Sequence, residues 1–133
     1  MTRIDDTFAR LSAENRKAFV TYVMAGDPDA ATAASILAGL PAAGADLIEL
    51  GFPFSDPMAE GPPIQRAAQR ALAAGTTLQG VLDLAAEFRK GDAETPLILM
   101  GYLNPLVTWG YERFAEAARS STCLLYTSDA ADE

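Results

Sequence analysis

The chain has no histidine and one cysteine, Cys123. That leaves carboxylates, tyrosines and the lysines Lys17 and Lys90 for proton transfer. Ser-His-Asp and Cys-His nucleophile systems and histidine-ligated metals therefore have no place within these residues. A lone cysteine closes no internal disulfide, and no cluster of cysteines and histidines is present to hold a structural zinc. Among the carboxylates Glu49 stands apart, because it interrupts the apolar run Leu47, Ile48, Leu50 of a stretch that reads as a strand buried in a parallel sheet. Burial penalises the charged form of such a group, and this suits a side chain that trades protons. The same position also fits a strand-end carboxylate held by an arginine or by helix amides. Directly after it comes GFPFSDPMAEGPP, residues 51–63, stiffened by Pro53, Pro57, Pro62 and Pro63 and relieved by Gly51 and Gly61. This loop presents Ser55, Asp56 and Glu60 near the carboxyl end of the strand, where parallel α/β proteins bind ligands. Glu60 could equally be a solvated loop carboxylate, and Asp56 a turn or cap residue beside proline.

The elements that must position these groups follow from periodicity. Ile4, Phe8 and Leu11 predict a short amphipathic helix ending near Ser12. Ala18 to Met24 predicts the first strand, stopped by Gly26, Asp27 and Pro28. Asp29 can cap a helix with Ile36, Leu37, Leu40 and Ala43 on one face, ended by Gly44 or earlier by Pro41. After the Glu49 strand and its loop, Pro62 or Pro63 opens a helix that continues through Ala74, and Gly75 closes it. Thr76 or Thr77 starts another, with Val81, Leu82, Ala85 and Phe88 as its buried stripe. LILMG, residues 97–101, predicts a third buried strand, followed by Tyr102, Leu103 and the cap signal Asn104-Pro105. A last helix is predicted from about Tyr111 to Arg119.

This alternation implies a parallel sheet with right-handed crossovers. Both an open doubly wound sheet and a (β/α)8 barrel share it, although no glycine-rich phosphate turn follows the first strand. With 133 residues, 50% hydrophobic, the chain suffices for one modest core. Its net charge of −8 gives no basic footprint for nucleic acid or an anionic membrane. No apolar run approaches the ~20 residues of a membrane helix, and the first residues are too polar for a secretory signal, so the expected location is cytoplasmic.

The stretch from Leu47 to Leu72, LIELGFPFSDPMAEGPPIQRAAQRAL, with MAGDPD upstream and MGYLNPL and GYERFA downstream, resembles the tryptophan synthase alpha chain family. The resemblance implies an α/β fold, a partial (β/α)8 TIM barrel made of the first three βα units with an N-terminal helix. It implies retro-aldol cleavage of indole-3-glycerol phosphate to indole and glyceraldehyde 3-phosphate, in tryptophan biosynthesis. The indole passes to a beta chain in an alpha2beta2 assembly; the pyridoxal phosphate belongs to that beta chain, and this chain needs neither cofactor nor metal. Glu49 would be the catalytic acid/base. Glu60 takes a position where the family more often has an aspartate on the indole N–H; its extra bond of about 1.5 Å matters, since a misplacement of about 1 Å can cost on the order of 100-fold in rate. Tyr22, Met100 and Tyr102 would line the indole pocket, though aromatics there also serve as ordinary core. Phe54, Asp56, Pro57 and Asn104 would face the beta chain.

By the same resemblance, residues 1–119 are the N-terminal half of a barrel domain. Residues 120–133, SSTCLLYTSDAADE, are expected to be a non-native tail without a strand, similar to a translated sequencing adapter. Three strands leave two sheet edges unpaired, and the phosphate-binding loops of later strands are missing, so the fragment is expected to be inactive alone. Two other readings stay open: a non-catalytic fragment that only binds the beta chain, and another phosphosugar-type barrel enzyme.

Overall fold

Helix α1, Arg3–Ala13, begins with a reciprocal cap: the Thr2 side chain accepts from the Asp5 N–H while the Asp5 carboxylate accepts from the Thr2 N–H at 2.8 Å. Strand β1 is Val20–Met24, and α2, Ala30–Gly39, is capped by Asp29 accepting from the Thr32 N–H at 2.8 Å. Strand β2, Leu47–Gly51, leads through the loop into α3, Pro62–Ala73, whose first position is proline. Thr77 caps α4, Leu78–Gly91, and β3 is Leu97–Gly101. Then come α5, Leu103–Trp109, α6, Tyr111–Ser120, and β4, Leu124–Thr127. This computed structural model describes residues 2–121 and the backbone of residues 124–127.

The strands form one parallel sheet in the order β1-β2-β3-β4. Its two faces differ. Ile48, Leu50, Leu97 and Leu99 point to the helical side, where they are sealed with Leu37 of α2, Val81, Leu82, Ala85 and Phe88 of α4, Leu106 of α5 and Phe114 of α6. Tyr22, Glu49, Ile98 and Met100 point the other way and are only half-buried. Near β1 that second face is roofed by α3, which packs Ala68 and Ala71 onto Met24 with Tyr22 and Ile64 alongside. The outer edge of β1 has no partner strand among the described residues, and Phe19 and Val20 are exposed there.

The structure departs from the sequence expectation in three places. Helix α2 stops at Gly39, the early end that Pro41 allowed, but Ile36 is exposed rather than part of its buried stripe; Ala33 and Leu37 are its buried residues, and Leu40, just past its end, packs partly buried against the core. Helix α5 was not predicted. Asn104-Pro105 lies within its first turn, where a missing proline N–H costs no intrahelical bond. The region from Ser120 onward was expected to lack a strand. Instead α6 extends to Ser120, Ser121 is buried, and the backbone of Leu124–Thr127 pairs with β3, Leu124 opposite Ile98 and Thr127 opposite Gly101. The open edge of β3 offers unpaired N–H and C=O groups that any extended segment can satisfy. Sheet extension thus follows from backbone bonding, which local composition does not report. Of the supposed tail, residues 122–123 and 128–133 lie outside the described residues.

At the amino ends of the strands, Asp46 ties three segments together. Its carboxylate accepts from Arg16 Nη1 at 2.8 Å, Arg16 Nη2 at 2.6 Å and the Phe19 N–H at 2.9 Å, with Arg10 at 3.5 Å. The Arg16 guanidinium, then the Phe19 amide, hold the Asp46 carboxyl down at about 2. The folded value lies below the unfolded one, so this stabilisation is complete above about pH 4 and lost as pH falls through about 2. Asp46→Asn is expected to cost about 2 kcal/mol at pH 6. Urea melts at successive pH values check this: the gap between parent and variant should hold from pH 7 to 5 and close towards pH 2. A gap that persists at pH 2 contradicts the ion-pair account.

Candidate functional site

Strand register builds the site. Tyr22 of β1 lies opposite Glu49 of β2, and Glu49 opposite Ile98 of β3, so the three form one layer on the same face of the sheet. The next layer towards the carboxyl ends is Met24, Gly51 and Met100. Glu49 is thus half-buried on the face turned away from α4, and its side chain makes no hydrogen bond or ion pair among the described residues. The alternative of a carboxylate held by an arginine or by helix amides has no support in its contacts.

The loop folds back over this face. Glu60, Phe54 and Pro57 share a cleft with Tyr22, Met24, Phe52, Ile64, Met100 and Tyr102. Glu60 is half-buried. Burial, then the carboxylates of Glu60 and Glu49, push the Tyr22 hydroxyl up to about 12, so it stays protonated at any ordinary pH. It can donate a hydrogen bond there but cannot act as a base.

Tyr102 lines the cleft, yet its hydroxyl is already engaged, accepting from the Ala59 N–H at 2.7 Å, and its ring lies 5.4 Å from that of Phe54. Met100 is half-buried in the cleft wall. Asp56 is exposed and accepts from the Ser55 hydroxyl at 2.7 Å. Asn104 is also exposed, on α5, and does not line the cleft. Sequence reasoning assigned no role to Gln65, whose carboxamide meets two loop carbonyls, nor to Gly51, over which the Tyr22 hydroxyl packs. The Gly-Pro-Pro-Ile-Gln spacing carried a signal for the first; nothing local signals the second.

The cleft is nearly full. About 10 Å³ of it is open, against the ~300 Å³ or more of an ordinary ligand pocket. A larger apolar cleft of about 250 Å³ adjoins it between β1, α2, α3 and α4, but neither Glu49 nor Glu60 lines it. Its one acid, Asp27, is clamped by Arg70 of α3 through two hydrogen bonds of 2.7 and 2.9 Å. Among the described residues no three His, Cys, Asp or Glu side chains gather to hold a metal, and no helix is long and apolar enough to cross a membrane.

Comparison with known proteins decides the family. The model of the tryptophan synthase alpha chain matches residues 8–123. The chain belongs to the tryptophan synthase alpha chain family. It is 75% identical over 116 residues to the alpha chain of Caulobacter sp. (strain K31), and 77% identical over the same length to that of Phenylobacterium zucineum (strain HLK1). In both cases 87% of this chain is covered, and the chain spans 42% of the relative's length. Among solved structures, tryptophan synthase subunit alpha from Legionella pneumophila str. Paris superposes with a TM-score of 0.94 at 48% identity, over 97% of this chain and 50% of that one. Tryptophan synthase from M. tuberculosis, in its ligand-free form, superposes with a TM-score of 0.91 at 31% identity. The described α/β sheet is accordingly part of the TIM barrel of this family, and its half-buried face is the barrel interior.

Proposed function

We propose that these residues are the N-terminal half of a tryptophan synthase alpha subunit, a carbon–carbon lyase that cleaves indole-3-glycerol phosphate to indole and glyceraldehyde 3-phosphate. The observation that carries this reading is the register that sets Tyr22 opposite Glu49 on the half-buried face of the sheet, together with the cleft that Tyr22 and Glu60 line beside it. In this scheme protonated Glu49 gives its proton to the indole ring carbon that bears the side chain. The bond from that carbon to the glycerol chain then breaks, its electrons return to the ring, and the hydroxyl on the departing carbon loses its proton to become the aldehyde. The Glu49 carboxylate can take that proton back, so the group ends as it began. The protonated indole is itself the electron sink, so the scheme draws on no cofactor in this chain. Glu60 would accept the indole N–H and offset the positive charge that develops on the ring. Tyr22, Met100 and Tyr102 would supply the apolar walls.

Phe54, Asp56, Pro57 and Asn104 would meet a beta chain, which would hold the pyridoxal phosphate and use the indole in the same compartment, the cytoplasm. The nearly filled cleft supports the expectation that these 133 residues are inactive alone and that the remaining barrel strands must hold it open. The test is indole release by a full-length protein, in which these residues are continued through the remaining strands of the barrel. Activity that falls about 100-fold in Glu60→Gln supports the scheme. A full-length protein that releases no indole but raises the turnover of a beta chain replaces it with the partner-only reading, and turnover of a different phosphorylated sugar replaces it with another barrel chemistry.

A further inference from the structure

The loop that carries Glu60 is poor in backbone donors at its end. Pro62 and Pro63 have no N–H, so the Glu60 carbonyl finds no partner three residues on, where a turn would normally supply one. Gln65 fills that gap from the first turn and a half of α3. Its backbone N–H donates to the Gly61 carbonyl at 3.0 Å and starts the helix. Its carboxamide Nε2 donates to the Glu60 carbonyl at 2.8 Å and, more weakly, to the Pro57 carbonyl at 3.4 Å. Both acceptors are carbonyls, so the –NH2 end must face them and the amide orientation is fixed by chemistry. The Pro57 carbonyl also takes the Glu60 N–H at 3.1 Å, and Tyr102 holds the Ala59 N–H from the β3 side. The turn 57–60 is therefore held from both α3 and β3.

We infer that Gln65 is a positioning residue for the reaction proposed above: by holding the carbonyls of Pro57 and Glu60, its carboxamide fixes the backbone that aims the Glu60 side chain into the cleft beside Tyr22. It touches no reacting atom. This rests on the role given to Glu60, and the experiment separates the two. Gln65→Met removes the donor at similar volume, and Gln65→Glu keeps the shape but sets an acceptor against two carbonyls and a nearby carboxylate. In the full-length protein, Gln65→Met is expected to lower kcat for indole release about 10-fold with a smaller change in KM, because the loss lies in aim. Gln65→Glu should be worse.

The deciding comparison is the double variant. If Gln65 acts through Glu60, Gln65→Met should cause no further loss once Glu60→Gln is present. A general loosening of the fold would lower activity equally in both backgrounds, and that additivity would overturn the inference. A second readout needs no activity: exchange of the amide hydrogens of Met58, Ala59 and Glu60, which are bonded within this turn, should be about 10-fold faster in Gln65→Met in the present chain. Unchanged protection there overturns it as well. Should the full-length protein release no indole, the lyase reading fails by itself, and the exchange result alone decides whether Gln65 holds this turn.

Discussion

Glu49→Gln in the full-length protein is expected to lower the rate of indole release about 1,000-fold and to leave the thermal midpoint nearly unchanged. Both halves follow from where the side chain sits. A positioned acid/base is typically worth a factor of ~100 to 10,000, and an amide of the same shape can neither give the proton to the ring carbon nor take one from the hydroxyl. The Glu49 side chain makes no ion pair or hydrogen bond among the described residues, so its replacement breaks no structural tie, and a neutral amide is no harder to keep half-buried than a carboxylate. Steady-state indole release and a melting curve on the same preparation check the pair of expectations. Retention of more than about a tenth of the activity would remove Glu49 from the mechanism. A large drop in midpoint would recast it as structural.

Gly101→Ala is expected to damage the framework strongly for so small a change. Gly101 ends β3, and a methyl group added there would lie 2.5 Å from two atoms of the Phe52 ring. That ring cannot step aside cheaply, since Phe52 is 3% exposed and its N–H is fixed to the Met100 carbonyl at 3.0 Å. Overpacking of this kind costs about 2 to 3 kcal/mol, which lowers the midpoint by roughly 10 °C in a unit of this size. Because Phe52, Gly101 and Met100 all line the site cleft, any relaxation should also disturb the face that holds Glu60. A thermal melt with no shift would mean that β2 and β3 separate more easily than their packing implies. Gly51→Ala makes an instructive contrast, since the added methyl would collide there with the hydroxyl end of Tyr22, a side chain able to swing. That change should disturb the site more than the fold.

Much of this architecture could be read from the chain itself, for reasons that are local. β3 matches the run Leu97 to Gly101, because a fully apolar segment bounded by Pro96 and a glycine has few other uses. The α4 stripe of Val81, Leu82, Ala85 and Phe88 is buried as its 3.6-residue spacing requires. Asp29 and Thr77 cap the helices they precede. Helix α5 escaped because Asn104-Pro105 signals a start without saying how near it lies, and β4 because strand addition depends on a free neighbouring edge.

The sequence by itself determined the chemical repertoire: carboxylates in place of histidine, a glutamate set in an apolar strand, and a proline-braced loop directly after it. Tertiary structure alone decided which of those groups meet. Parallel pairing set Tyr22 beside Glu49 across 27 positions of sequence, and the fold of α3 and β3 brought Gln65 and Tyr102 onto the loop that carries Glu60. Register and loop closure arise from hydrogen bonds between distant backbone segments, and no local pattern of residue types encodes those partners.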